Sequence, residues 1–274
     1  MKPNPRHVVL NLLLAANDET LSAREAIGAC GLLGIRENSV RVALLRLAAA
    51  GMIESTGRGS YQLGPNASGL AGEISNWRDA EKRVKEWKGG WIAVHTASLG
   101  RSDRSALRGR DRALQLLGMR ELDRGLYVRP DNLAGGVVSV RERLHKLGLD
   151  NDAVVFVAHE FDDEREQRAR KLWNGKALSK SYRDTRLKLE SWLARADQLD
   201  PEAAARESFL LGDKAIHQLV FDPLLPEPLV DVKERRAFVE AVVRYDRAGH
   251  AIWQRLHFNF SNAVSAGAKA TRPH

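Results

Sequence analysis

One cysteine, Cys30, stands among 274 residues. A single thiol makes no internal disulfide, so nothing in the sequence argues for an oxidising compartment. Cys30 lies inside an apolar helical pattern and reads as a small buried hydrophobe rather than a reactive thiol. The chain also lacks any apolar run of the roughly 20 residues that a bilayer-spanning helix needs. Its charged start is followed by an apolar stretch, residues 8–16, that is short and has no cleavage-like end; it reads as a helix of the mature protein. The cytoplasm is therefore the expected location, with no membrane partner. The eight histidines show no His-Glu-x-x-His or related ligand spacing, which speaks against zinc. No glycine loop built to cradle phosphate and no nucleophile elbow occurs. No internal repeat is visible. No cofactor, metal site or catalytic residue is expected, and the chain does not read as an enzyme.

What is present is positive charge, unevenly spread. The formal net charge is +8, from 43 basic and 35 acidic residues. Residues 1–65 hold seven basic and five acidic side chains, whereas residues 77–130 hold thirteen and seven. From 131 onward the balance is 23 to 22. The excess in the second segment points to an anionic partner there, either a DNA backbone or a phosphorylated small molecule; a solvated basic face is the alternative.

Punctuation divides the chain into three blocks: 1–65, 76–161 and 162–266. Gly64-Pro65 closes the first, and the small, polar Asn66-Ala67-Ser68-Gly69 reads as a linker. The tail from 267 to 274 is expected to be disordered. Block one reads helix, helix, helix, hairpin. Val9, Leu12, Leu13 and Ala16 recur at helical spacing. Ser22 and Glu25 have the spacing of a capping box and open a second helix bearing Ala26 and Ile27. After Gly31 and Gly34, a third helix runs over 36–50 with Val40, Leu44 and Leu47 on its core stripe, stopped by Gly51. Residues 52–56 and 60–63 are strand candidates around the turn Gly57-Arg58-Gly59. In block two the alternating charges of 76–87 predict a helix. Residues 91–96 read as a buried strand, 102–117 as an arginine-rich helix, 120–122 and 125–128 as a strand pair, 137–146 as a helix and 153–159 as a strand. That alternation fits a small ferredoxin-like sandwich. Block three carries helical patterns over 164–172, 179–196, 201–221 and 232–258. The prolines of 222–228 separate the last two.

The third helix has the makings of a DNA reader. A helix in the major groove needs an apolar face for its own domain and short or polar side chains for the bases. Opposite Val40, Leu44 and Leu47 lie Asn38, Arg41, Val42, Leu45, Arg46 and Ala49, with Ser39 on the same N-terminal turn. Asn pairs with adenine, Arg with guanine, and Val42 suits a thymine methyl. Arg58, between two glycines, suits a phosphate track or a minor groove. A winged helix that binds only protein partners has the same outline.

The segment Ser39-Val40-Arg41-Val42-Ala43-Leu44-Leu45-Arg46-Leu47, with Gly51-Met52-Ile53 and Tyr61-Gln62-Leu63, resembles the PaaX family, repressors of phenylacetic acid degradation and their relatives. The similarity continues through Trp87-Lys88-Gly89-Gly90-Trp91, through Arg101, Arg104 and Arg108, and through Leu122-Asp123-Arg124-Gly125-Leu126-Tyr127-Val128-Arg129-Pro130. It extends to Leu172-Trp173, Tyr182 and Asp222-Pro223-Leu224-Leu225-Pro226. The resemblance implies an α+β multidomain protein: an N-terminal winged helix-turn-helix (1–65), a central ferredoxin-like (Cas2-like) α/β sandwich (76–161) and a C-terminal helical domain (162–266). It further implies a homodimeric repressor of a catabolic operon, bound to a double-stranded DNA operator. The best-known members release DNA when they bind phenylacetyl-coenzyme A, so an acyl-coenzyme A or another effector derived from an aromatic acid is the implied ligand. Arg101, Arg104 and Arg108 share one side of a helix and suit its phosphates. They suit equally an ion-pair contact with Asp162, Asp163 or Glu166. A Cas2-like domain also raises the rival of a metal-dependent nuclease, but the strand 91–96 carries His95 and no carboxylate. The acidic run 160–164 reads as the start of a helix, where negative charge suits the dipole.

Overall fold

The computed structural model describes residues 3–15, 20–67 and 76–270. It is a mixed α+β structure with two small antiparallel sheets. Two compact units form, one from 1–75, 189–214 and 242–274, the other from 76–188 and 215–241.

In the first unit, α1 (Pro5–Ala15) opens on a proline, whose missing N–H is no loss in a first turn. Val8, Val9 and Leu13 are buried on its inner side. Ala16, expected to continue that stripe, lies outside the described residues. A two-residue strand, β1 (Leu21–Ser22), precedes α2 (Ala23–Leu32). The capping box forms: Glu25 N–H donates to Ser22 Oγ at 3.1 Å, and Ser22 N–H donates to Glu25 Oε2 at 2.7 Å. Gly34, at φ +72°, ends α2 with its N–H on Gly31 O, while Ile35 N–H reaches Cys30 O. α3 (Glu37–Ala49) ends on the same motif at Gly51, φ +64°, with Met52 N–H on Leu47 O at 2.9 Å. β2 (Ile53–Gly57) and β3 (Ser60–Leu63) make the hairpin, and β1 joins its far side in the order β1-β3-β2. Val8, Val9, Leu13, Ala26, Cys30, Leu33, Val40, Leu44, Leu47 and Ile53 form one core, against which Phe209 also packs. Of the expected linker, Ser68 and Gly69 lie outside the described residues, and Asn66 Nδ2 donates to Ala50 O at 2.9 Å.

In the second unit, the helix expected over 76–87 is replaced by two 3-10 turns, Asn76–Asp79 and Glu81–Arg83. The physical reason is the period: Trp77 and Ala80 are both buried, and three-residue spacing aligns them on one side in a 3-10 turn. The sheet is built from β4 (Trp91–His95), β5 (Arg120–Asp123), β6 (Leu126–Pro130) and β7 (Val154–Ala158). The order is β5-β6-β4-β7, antiparallel throughout. α4 (Arg104–Leu116) and α5 (Gly136–Lys146) pack Ala113, Leu114, Val140 and Leu144 onto Ile92, Val94 and Val155. On the other face Trp91 stacks against Trp173 with ring centroids 6.2 Å apart and donates to Glu166 Oε2 at 2.8 Å. α6 (Asp163–Arg170) starts at the acidic run, with Asp162 Oδ1 capping Arg165 N–H at 2.8 Å.

Three long helices complete the chain: α7 (Gly175–Leu193), α8 (Pro201–Val220) and α9 (Val232–Ala270). α9 runs to Ala270, past the point at 267 where disorder is expected from the sequence. Residues 271–274 lie outside the described residues. Among the described residues, no helix is long and apolar enough to cross a membrane.

Candidate nucleic-acid interface

The burial of α3 divides as its periodicity predicts. Val40, Ala43, Leu44 and Leu47 face the core. Asn38, Ser39, Arg41, Val42, Leu45, Arg46 and Ala49 are exposed. Leu45 is 69% exposed and Val42 38%, so the outer face has bare apolar methyls between polar neighbours.

Arg41 is not free on that face. Its Nε and Nη2 both donate to Glu37 Oε1, at 2.9 and 2.7 Å, one turn back. Arg46 forms no ion pair among the described residues.

Arg58 occupies the exposed tip of the β2–β3 hairpin, between Gly57 and Gly59 (φ +74°). Sequence reasoning missed its neighbour. Ala23 N–H donates to Gly59 O at 2.7 Å, and Ser22 pairs with Ser60. That pairing brings the exposed Arg24, in the first turn of α2, next to the hairpin end. The only local signal for it was the capping box that starts α2.

Arg101, Arg104 and Arg108 belong to the second unit and are exposed. None has a carboxylate partner among the described residues. The alternative of pairing with Asp162, Asp163 or Glu166 does not occur. Asp162 is taken by Arg165, and Glu166 by Arg170 at 2.7 Å and by Trp91. The structure differs from the expectation that all three share one side of a helix. The Asp103 side chain accepts from Ser105 and Ala106 N–H and caps the helix, so α4 begins at Arg104 and Arg101 precedes it. Arg104, Arg108 and Arg112 follow at four-residue spacing along α4. Arg110, between them in sequence, points inward and pairs with Asp150 at 2.8 and 3.1 Å.

Elsewhere in the second unit, buried polar side chains hold the proline-rich segment after α8. Asp222 Oδ1 accepts Leu224 N–H at 2.7 Å. Asn132 Nδ2 donates to Leu224 O at 2.6 Å, and Arg129 Nη2 to Pro223 O at 3.3 Å and Asn132 Oδ1 at 3.1 Å. Arg235 bonds Leu225 O and pairs with Glu81 at 2.6 Å. Burial away from water pulls the Arg129 guanidinium down to about 9. Tyr182, stacked on Phe238, completes this buried set.

Residues 173–255, which carry that grip from the C-terminal side, match the family model described as the PaaX-like protein C-terminal domain. Over that stretch the chain is similar to a PaaX-like C-terminal domain. The resemblance drawn from Leu172-Trp173, Tyr182 and Asp222-Pro223-Leu224-Leu225-Pro226 thus holds over this stretch. The matched stretch holds the whole of α7 and α8 and most of α9, and its buried side chains include Tyr182, Trp192, Phe238 and Tyr245. A solved structure, the uncharacterized protein Rv0674 from Mycobacterium tuberculosis, shares the fold with a TM-score of 0.53. It is 22% identical, over 90% of this chain and 99% of that one. No curated protein matches the chain. Among the described residues, no group of three or more His, Cys, Asp or Glu side chains is placed to hold a metal ion.

Proposed function

We propose that this protein is a DNA-binding transcriptional regulator, a homodimeric repressor of a catabolic operon released by a small anionic effector such as an acyl-coenzyme A. The reading that residues 1–65 are a winged helix-turn-helix is supported by the order α1-β1-α2-α3-β2-β3 and the basic hairpin tip. The order β5-β6-β4-β7 supports a ferredoxin-like central module, and the match of 173–255 to a PaaX-like C-terminal domain supports a helical third part. The chain acts by binding rather than by catalysis.

One observation carries the DNA reading: the outer face of α3 leaves Val42 and Leu45 bare between Asn38, Arg41 and Arg46. Such a surface gains by meeting base edges and thymine methyls. Arg58 and Arg24 then follow the backbone, contributing affinity without sequence preference. The exposed Arg104 and Arg108 on α4, with Arg101 just before it, receive the effector's phosphates.

The test is a salt titration of binding to a duplex selected from a random pool and to a scrambled duplex. Affinity for both falls steeply with salt, and Arg58→Ala flattens the slope by about one unit. Arg41→Ala weakens the selected duplex by about 1–3 kcal/mol and the scrambled one far less. Equal losses from Arg41→Ala on both duplexes end its assignment to base reading. No binding at low salt ends the regulator reading.

A further inference from the structure

Building on the reading of α3 as the base-contacting helix, we propose that Glu37 is the positioning residue for Arg41, presenting its guanidinium to a guanine. Glu37 opens α3, and Arg41 follows one turn later on the same exposed side. The two side chains are 57% and 60% exposed, so neither is held by the core. What fixes the arginine is the carboxylate. Nε and Nη2 both donate to Oε1, at 2.9 and 2.7 Å.

That geometry engages one edge of the guanidinium and leaves another. With Nε and Nη2 turned to Glu37, Nη1 and the second Nη2 hydrogen form the free end of the fork. Two parallel donors on one edge match the O6 and N7 acceptors of guanine. An unrestrained arginine must lose side-chain freedom to reach that pose; one already held by a carboxylate has lost much of it beforehand. The sign of the charge sharpens the case. A carboxylate on a face that approaches polyanionic DNA weakens binding to every duplex alike. A gain in discrimination between duplexes would offset that loss.

A purely structural role is the competing account, since Glu in a first turn favours the helix dipole and an i,i+4 pair adds to it. That role does not touch the ratio of affinities for two duplexes. The deciding measurement uses the full chain and two probes: the duplex selected from a random pool, and a scrambled duplex of equal length and composition. Binding constants are taken for wild type, Glu37→Ala, Glu37→Gln, Arg41→Ala and the double variant with alanine at both positions.

Glu37→Ala is expected to lower the selected-to-scrambled ratio by about 5- to 10-fold, a fraction of what one bidentate base contact discriminates. Affinity for the scrambled duplex rises as the carboxylate leaves. Glu37→Gln, which keeps an acceptor oxygen, retains more of the ratio than alanine does. In the Arg41→Ala background, removing Glu37 changes the ratio by less than about twofold, because the coupling runs through Arg41. An unchanged ratio in Glu37→Ala, or an equal fall in both backgrounds, overturns the proposal while leaving α3 a DNA reader. A wild-type ratio of one is the distinct failure: it removes the base-reading role of α3 and this inference with it.

Discussion

His7, on α1, shares a carboxylate with Asn11. Its Nε2 lies 2.6 Å from Asp213 Oδ1, the oxygen to which Asn11 Nδ2 also donates at 2.7 Å. The hydrogen bond to Asp213 raises the His7 pKa above its ordinary 6.5, against the opposing effect of partial burial. A raised pKa means that the folded state binds the proton more tightly than the unfolded chain. The contribution to stability is therefore fully present below 6.5 and is lost as pH climbs through the raised value. Thermal unfolding of wild type and His7→Gln across a pH series should show the largest gap on the acid side, closing as pH rises. A gap that widens toward alkaline pH contradicts this. Cys30 gives a second test at this scale. It is fully buried, and burial pushes the thiol up to about 11. A maleimide should leave it unmodified in the folded protein and label it in denaturant, read by intact mass.

The helices of the first unit owe their ends to backbone geometry that local sequence carries well. Ser22 with Glu25, and Gly34 and Gly51 just past helix ends, are short-range signals, and each forms the cap its spacing implies. Gly51→Ala forces a β-carbon onto a left-handed backbone, where it would lie 2.7 Å from the Asn66 amide nitrogen. A loss of about 1–2 kcal/mol in urea unfolding is expected from the backbone alone. The exposed face of α3 was legible for the same reason: 3.6-residue periodicity separates Val40, Leu44 and Leu47 from Asn38, Arg41 and Val42 without knowledge of any partner. β1 was not legible, since two residues have no period, and its place depends on pairing with Ser60 and Tyr61. The inward turn of Arg110, Arg129 and Arg235 was not legible either. Their partners, among them Asp150, Pro223 and Glu81, lie far along the chain, and an arginine's own sequence context reads as solvated. Asn132 holds two such ends at once. Asn132→Ala leaves Arg129 Nη2 with Pro223 O alone and takes the side-chain donor from Leu224 O in a buried site, and should cost about 1–3 kcal/mol in the same unfolding measurement.

At the scale of the molecule, the charge read from the sequence divides into two uses. Part of the excess over 77–130 is consumed inside, by Arg110 and Arg129. The rest stays outside as Arg101, Arg104, Arg108 and Arg112. A thermal-shift series with coenzyme A thioesters should raise the melting temperature of wild type with ligand concentration. Arg104→Ala with Arg108→Ala should abolish that shift while leaving the unliganded midpoint nearly unchanged, since both side chains are exposed and unpaired. A full shift in the double variant would assign the ligand elsewhere. The makeup of the two compact units was beyond sequence reading. Each is assembled from separated stretches of chain, and no local pattern states that 189–214 joins 1–75.

That joining sets a timetable. The core around α1, α2 and α3 includes Phe209, and the Asp213 carboxylate that bonds His7 lies 206 positions further along the chain. At a synthesis rate of about 5–20 residues per second, roughly 10–40 s separate the emergence of the two ends of that contact. Through that interval a ribosome carries an N-terminal module whose own sequence is finished but whose packing is not. Synthesis of α8, rather than of the hairpin, is the event that brings Phe209 to that core.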